Sequence, residues 1–260
     1  MTALVTGASS GIGLQYATVL ARDYACDLLL VSNQEKELAE TASTLSGQYG
    51  VKALPYYCDL SRKEAADEVY AFAHGQGLEI DILINNAGIF FFNPLVETPE
   101  AKIDTMLMLH MVTVVNLCRL FGEDMCRRGN GYILNMSSLC NWMTFPGIQT
   151  YDSTKTFIYS FSKSIWYEFK PKGVSVTVLT PGAVDTGLYG LADDKRRLAV
   201  KLGVSIPPEK LAEKALRKMF KRKKTYMPGF VNHVAKPFFR IFPDWLVFKI
   251  MKKLSAFQKA

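Results

Sequence analysis

Cysteine is scarce and unpatterned in this sequence. The five cysteines, Cys26, Cys58, Cys118, Cys126 and Cys140, are odd in number and form no C-x-x-C pair. That excludes a disulfide framework and points to reduced thiols in a cytoplasmic setting. Cys140 lies close to Ser138, but packing is its expected role. Long apolar runs are missing too. No stretch reaches the roughly 18 apolar residues of a membrane span, so no spanning helix is expected. No removable leader is expected, because the chain enters an apolar strand, Ala3-Leu4-Val5, directly after Met1-Thr2. With 49% apolar residues over 260 positions, the core is large enough to need neither disulfides nor a metal, and no metal site is expected. The length fits one large domain or two small ones.

Negative charge is thin in the C-terminal quarter. Residues 195–260 hold 18 Lys+Arg and 3 Asp+Glu, a net of +15; residues 1–194 hold 13 and 21, a net of −8, and the two sum to +7. A basic tail on an acidic body suits an anionic partner such as a membrane surface, an acyl-carrier substrate or nucleic acid; a solvated basic helix is the plain alternative. Nucleic acid is not expected, because the tail's aromatics read as packed rather than displayed. Residues 229–260 read as two amphipathic helices broken at Pro243, with Phe238, Phe239, Phe242, Trp245, Phe248 and Phe257 among lysines. That composition suits peripheral membrane contact, and equally a helix pair capping a substrate pocket or a dimer.

What is present is an alternation of short apolar strands and amphipathic helices. A strand at 3–6 runs into Thr6-Gly7-Ala8-Ser9-Ser10-Gly11-Ile12-Gly13 and then a helix to about Arg22. Gly7 permits a tight turn, Gly11 a close approach to a pyrophosphate, and Gly13 close packing of helix on strand. The free N–H groups of the helix start face the phosphates. The second strand, Leu28–Val31, ends in Ser32, Asn33 and Gln34, where an acid would select NAD and a base NADP. Neither is there. Without an acid to repel a 2′-phosphate, the hydroxyl and amide groups favour NADP, with NAD still open.

A helix at 35–48, a strand at 52–57 and a helix at 62–75 follow. Asp59 after the third strand is a candidate acceptor for an adenine amino group, or the N-cap of the next helix. The fourth strand, Ile80–Ile84, ends in Asn85-Asn86-Ala87-Gly88, whose small residues leave room for a flat ring. Phe90-Phe91-Phe92 must cover something, a loop or an apolar pocket. Residues 99–128 read as one long helix containing His110. Further strands are expected at 132–137, 174–179 and 225–227, and helices at 150–169, 193–202 and 207–222. The segment 186–207 reads as a substrate-side closure.

The stretch Asn135–Lys155 carries the chemistry. If Tyr151 opens a helix, Lys155 lies on the same face four residues on. Its ammonium would favour the phenolate, and Ser138 could reach the same spot from the strand end. That is a set for moving a proton to or from a carbonyl or alcohol oxygen.

Taken in order, T-G-x-x-x-G-x-G at 6–13, N-N-A-G at 85–88, Ser138, Tyr151/Lys155 and Pro181-Gly182 resemble the short-chain dehydrogenase/reductase family over about residues 3–190. The resemblance implies an α/β fold, a Rossmann-type doubly wound seven-stranded parallel sheet with helices on both faces, here as a domain at 1–228 with a C-terminal helical extension at 229–260. It implies a nicotinamide cofactor and an oxidoreductase acting on a ketone or secondary alcohol; a cofactor-binding regulatory or scaffold protein is the alternative. Tyr151 would be the acid/base, Ser138 the group that polarises the substrate oxygen, and Lys155 the group that tunes the tyrosine and bonds the ribose. The cofactor cradle would comprise Gly7, Ser9, Ser10, Gly11, Ile12, Gly13, Ser32, Asn33, Asp59, Leu60, Asn86, Ala87, Gly88, Tyr151 and Lys155, with Pro181, Gly182, Val184 and Thr186 at the carboxamide end. Phe90, Phe92, Trp142, Met143, Phe145, Leu188 and Tyr189 are candidates for an apolar pocket suited to a 3-ketoacyl or steroid-like substrate. A homodimer or homotetramer is the family's habit. One usual residue is missing: where the family places an asparagine that anchors a water in the long helix, this chain has His110, expected to hold the water and relay a proton.

Overall fold

Strands and helices alternate through most of the described residues, as the period of the apolar residues requires. The structure is a computed structural model, and it describes residues 1–142, 144–185, 205–229, 232–233 and 243–253. The elements are β1 (Thr2–Thr6), α1 (Gly11–Tyr24), β2 (Asp27–Ser32), α2 (Glu35–Tyr49), β3 (Ala53–Tyr57), α3 (Ala65–Gly75), β4 (Ile82–Asn85), α4 (Glu100–Leu107), α5 (Thr113–Arg128), β5 (Gly131–Met136), α6 (Gln149–Phe169), β6 (Val174–Leu179), β7 (Ala183–Val184), β8 (Ser205–Ile206) and β9 (Thr225–Tyr226). Two further helices span Pro208–Phe220 and Asp244–Met251.

Seven strands form one sheet in the order β3-β2-β1-β4-β5-β6-β9, and every pairing is parallel. This is the doubly wound sheet. β1 pairs with β2 on one side (Val5↔Leu30) and with β4 on the other (Val5↔Ile84). The chain reverses its winding direction there, so the carboxyl ends of β1 and β4 open a crevice. A separate short parallel pair, β7–β8, joins Ala183 to Ser205 and Val184 to Ile206.

Because side chains alternate along a strand, the sheet buries two cores. Val5, Leu28, Leu30, Ile82 and Ile84 face α1, α2 and the Pro208–Phe220 helix, through Leu20, Leu38 and Leu216. Leu4, Leu29, Leu83 and Ile133 face α3, α5 and α6, through Val69, Leu117, Phe121 and Phe169. The run Glu100–Arg128 is long and apolar enough to cross a membrane. In this fold its Met106, Leu117, Phe121 and Met125 are buried in the core.

Two expectations change. The long helix at 99–128 is not uniform: Met108–Val112 is a π-helical turn joining α4 to α5. A π-turn inserts an extra residue and re-aims the side chains within it, here His110. The tail is not simply packed either, since Trp245 and Phe248 are 66% and 59% exposed. The helix expected at 193–202, and most of the first tail helix, lie outside the described residues.

Candidate active site

Thr6 ties the two halves of the crevice together. Its hydroxyl donates to the Ile84 carbonyl at 3.2 Å and accepts from the Asn86 and Ala87 N–H groups at 2.9 and 3.0 Å. The Asn86 amide returns a bond to the Thr6 carbonyl at 3.0 Å. The glycine-rich turn after β1 and the Asn-Asn-Ala-Gly turn after β4 are therefore one rigid unit. Gly13 locks α1 to it: a Cβ there would stand 2.0 Å from the Gly7 carbonyl oxygen and 2.6 Å from the Asn86 amide nitrogen. Gly13 packs the helix rather than lining the crevice.

The crevice holds a cavity of about 620 Å³. Gly7, Ser9, Ser10, Gly11 and Ile12 line one wall, so the first turn of α1 faces it. Such a turn offers unpaired N–H groups and a positive dipole end to an anion. Ser32, Asn33, Asp59 and Leu60 line one end; Asn86, Ala87 and Gly88 lie between; Ser138, Tyr151, Lys155, Pro181, Gly182 and Val184 line the other. Thr186 lies outside the described residues.

At the β2 end the polar groups are organised. The Ser9 hydroxyl donates to the Gln34 amide oxygen at 2.6 Å and meets the Ser32 hydroxyl at 2.8 Å. Ser32 is then the donor of that pair, and Gln34 has its amide N–H groups left to offer. Gln34 also lines the cavity. Asp59 does not cap α3, which begins at Ala65; its carboxylate accepts from the Ser61 N–H at 3.0 Å and hydroxyl at 2.8 Å. Among the described residues lining the β2 end, Asp59 is the one with a charged side chain.

At the other end, β5 and α6 are cross-tied. The Ser137 hydroxyl donates to the Lys155 carbonyl at 2.7 Å, and the Lys155 ammonium donates to the Met136 carbonyl at 3.1 Å. Lys155 is 5% exposed, and burial pulls its pKa down to about 8. Its Nζ lies 5.4 Å from the centre of the Tyr151 ring. Tyr151 is likewise 5% exposed, with Phe90 edge-on at 5.0 Å. The Ser138 oxygen accepts from the Cys140 N–H at 3.2 Å, and the residue lines the cavity. Burial pushes the Cys140 thiol up, so it stays protonated beside Ser138.

His110 is fully buried at the wall of this end. Its Nε2 accepts from the Ile89 N–H at 3.1 Å. Its Nδ1 meets the Thr154 hydroxyl at 2.9 Å, and Thr154 donates onward to the Tyr151 carbonyl at 2.8 Å. Donor counting fixes the tautomer: Nε2 accepts, so Nδ1 carries the hydrogen and gives it to Thr154. Burial, and then the Lys155 charge, hold the imidazole pKa well below its usual range. A neutral ring with both nitrogens engaged holds backbone in place. It is not poised as the proton relay expected from its position. Gly88 is required against it, because a Cβ there would lie 2.8 Å from His110 Nε2.

The proposed apolar pocket is only partly assembled. Phe90 and Phe145 pack with Met106, Ile148 and Tyr151. Phe92 packs against Gly147, and Trp142 turns away to meet Tyr159 edge-on at 5.0 Å. Met143, Leu188 and Tyr189 lie outside the described residues. Sequence reasoning named Gln34 only as a neutral residue at the end of the second strand, and missed Ser137 and Thr154. For Thr154 a signal existed: it sits three residues after Tyr151, one turn along the same helix.

The family model described as "short chain dehydrogenase" matches residues 1–197. Among curated proteins, the chain is similar to "Probable oxidoreductase EphD" of Mycobacterium tuberculosis, 32% identical over 242 residues, which are 86% of this chain and 40% of that protein. It is also similar to the very-long-chain 3-oxoacyl-CoA reductase of Anas platyrhynchos, 33% identical over 189 residues, 71% of this chain and 60% of that one. The matches thus span from two fifths to three fifths of those relatives' length. Among solved structures, a short-chain dehydrogenase from Sphingobium yanoikuyae in complex with NADPH superposes with a TM-score of 0.80 at 28% identity, covering 97% of this chain and 96% of that one.

Proposed function

Because the chain belongs to the short-chain dehydrogenase family, we propose that it transfers a hydride between NADP(H) and a ketone or secondary alcohol on an apolar substrate. The observation that carries this reading is the convergence of Ser138, Tyr151 and Lys155 on one end of a cavity whose wall is the glycine-rich turn and the first turn of α1. The residues fit a dinucleotide. The α1 start would take the pyrophosphate, Asn86–Gly88 and Pro181–Val184 would flank the nicotinamide, and Asp59 would meet the adenine. Neutral donors at Ser32, Asn33 and Gln34, with no carboxylate at these three positions, support NADP, as does the NADPH held by the similar Sphingobium protein.

When bound, the nicotinamide supplies or accepts the hydride. The chain's own residues manage the oxygen. In the reducing direction Ser138 donates its hydroxyl hydrogen to the carbonyl oxygen and fixes its position. Tyr151 gives that oxygen its phenolic proton, so the C–O bond is kept and the carbonyl becomes a secondary alcohol. Lys155, charged below about pH 8, stabilises the phenolate left behind. Burial of both groups excludes water and strengthens that interaction.

The substrate proposed is a long-chain 3-ketoacyl compound or a ketone of similar bulk. Phe90 and Phe145 beside Tyr151 supply apolar contact, and the similar Anas reductase is named for such a substrate. The test is NADPH oxidation with a panel of short and long 3-ketoacyl thioesters and bulky ketones, comparing wild type with Tyr151→Phe. Loss of at least about a hundredfold in kcat, with cofactor affinity retained, is expected. Turnover undiminished in the variant would overturn the assignment.

A further inference from the structure

Two segments with exposed apolar side chains flank the 144–149 loop that leads into α6. In the segment after β4, Leu95 and Val96 are 53% and 94% exposed. That segment is bound to the 144–149 loop: the Asn93 N–H donates to the Gly147 carbonyl at 2.9 Å, and the Gln149 amide donates to the Asn93 carbonyl at 3.3 Å. The 144–149 loop also meets the Asp244–Met251 helix across a cavity of about 490 Å³, walled by Phe145, Pro146, Gln149, Val247 and Phe248 among others.

The terminal helix is two-sided. Leu246, Val247, Ile250 and Met251 are half-buried. Trp245, Phe248, Lys249 and Lys252 recur at the i, i+3, i+4, i+7 spacing of a single helical face, and all four are exposed. Lys253 is exposed beside them. The exposed face is therefore an aromatic pair bordered by ammonium groups, with Phe248 shared between that face and the cavity. Aromatic rings of this kind settle at the headgroup level of a bilayer, while lysine stems lie along apolar surface and keep their charge in the headgroup layer. The charge of the whole molecule is polarised the same way, with +15 on residues 195–260 and −8 on the rest. An anionic surface would orient it tail-first.

We propose that this face, Trp245 and Phe248 with Lys249, Lys252 and Lys253, docks the protein peripherally on an anionic lipid surface, with Leu95 and Val96 as a second point of contact. Two contacts are needed because an eight-residue helix alone binds weakly. Docking here sets the membrane next to the helix that carries Tyr151.

The experiment is co-sedimentation of the full chain with phosphatidylcholine vesicles, with and without phosphatidylserine, alongside sedimentation velocity without lipid. Wild type is expected in the pellet only with phosphatidylserine, and to be released by salt. Trp245→Ser/Phe248→Ser and Lys249→Glu/Lys252→Glu/Lys253→Glu should each reduce the bound fraction about tenfold, and Val96→Asp should weaken it less. Thermal melts check that the variants fold. Equal partitioning of wild type and both multiple variants, or binding indifferent to phosphatidylserine, would overturn the proposal. So would conversion of a dimer to monomer by Trp245→Ser/Phe248→Ser, because the face would then be covered by a second copy. None of these readouts uses catalysis, so they stand apart from the proposed activity.

Discussion

His110 Nδ1 and the Thr154 hydroxyl lie 2.9 Å apart, and that bond couples the π-turn between α4 and α5 to the second turn of α6. Through it, the Ile89 N–H at the cofactor side is linked to the Tyr151 carbonyl. We expect His110 to act as a positioning residue. His110→Ala leaves the half-buried Ile89 N–H without its side-chain acceptor and should cost about 1 kcal/mol of stability. His110→Asn, which can still accept from Ile89, should recover much of that. Because burial holds the folded pKa below the ordinary 6.5, the histidine's contribution is present above pH 6.5 and lost as pH falls through the folded value. His110→Asn should therefore flatten the acid side of the stability curve while leaving the pH–rate profile between pH 5.5 and 7.5 unchanged in shape. A shifted kinetic profile would return the imidazole to a relay.

Lys155 gives the opposite end of the pH scale. Its pKa falls from 10.5 in the unfolded chain to about 8 in the fold. A depressed folded value means the contribution is fully present above 10.5 and lost as pH drops through 8. Stability of the cofactor-free protein should thus rise between about pH 8 and 10.5, by roughly 3 kcal/mol at most. Lys155→Met should abolish that rise in chemical denaturation. Kinetically, reduction should decline in wild type as pH climbs through 8 and the ammonium is lost.

Asp152 carries a buried carboxyl immediately after Tyr151. Burial raises its pKa from 3.8 to about 6, against weaker help from the Phe145 N–H at 3.4 Å. A raised folded pKa contributes stability below pH 3.8 that is lost as pH rises through 6. At pH 7 the buried charge is a burden. Asp152→Asn should raise Tm at pH 7 by on the order of a few °C, and by much less at pH 4. Scanning calorimetry at the two pH values checks the difference.

The glycine turns, Ser138, Tyr151 and Lys155 were legible because their constraints are local. A turn that needs Gly7 or Gly11, and a Tyr–Lys pair one helical turn apart, leave their mark in a few consecutive residues. Strand order followed, since alternation of strand and helix admits few parallel topologies. The π-turn was not legible: one inserted residue shifts the phase of an apolar helix without changing its composition, and a lone histidine there reads as core. The directions of Phe92 and Trp142 were hidden for a different reason. Each is set by a tertiary neighbour, Gly147 and Tyr159, that no local pattern names. The short β7–β8 pair likewise depends on residues about twenty positions apart.

The β2 end of the cavity makes a prediction about cofactor choice. Ser9, Ser32 and Gln34 form a closed set of hydrogen bonds in which the exposed Asn33 stands as the neighbouring neutral donor. A carboxylate introduced there would accept from a ribose 2′-hydroxyl and repel a 2′-phosphate. Asn33→Asp should weaken NADPH binding by tenfold or more, about 1.4 kcal/mol, while NADH binding holds or improves. Asn33→Arg should do the reverse, because a guanidinium pairs with phosphate through two parallel hydrogen bonds. The measurement is a fluorescence titration of each variant with both reduced cofactors, which reads binding without any substrate. If Asn33→Asp left the ratio of the two Kd values unchanged, the 2′-position would lie away from β2, and selectivity would have to come from the α1 side of the crevice instead.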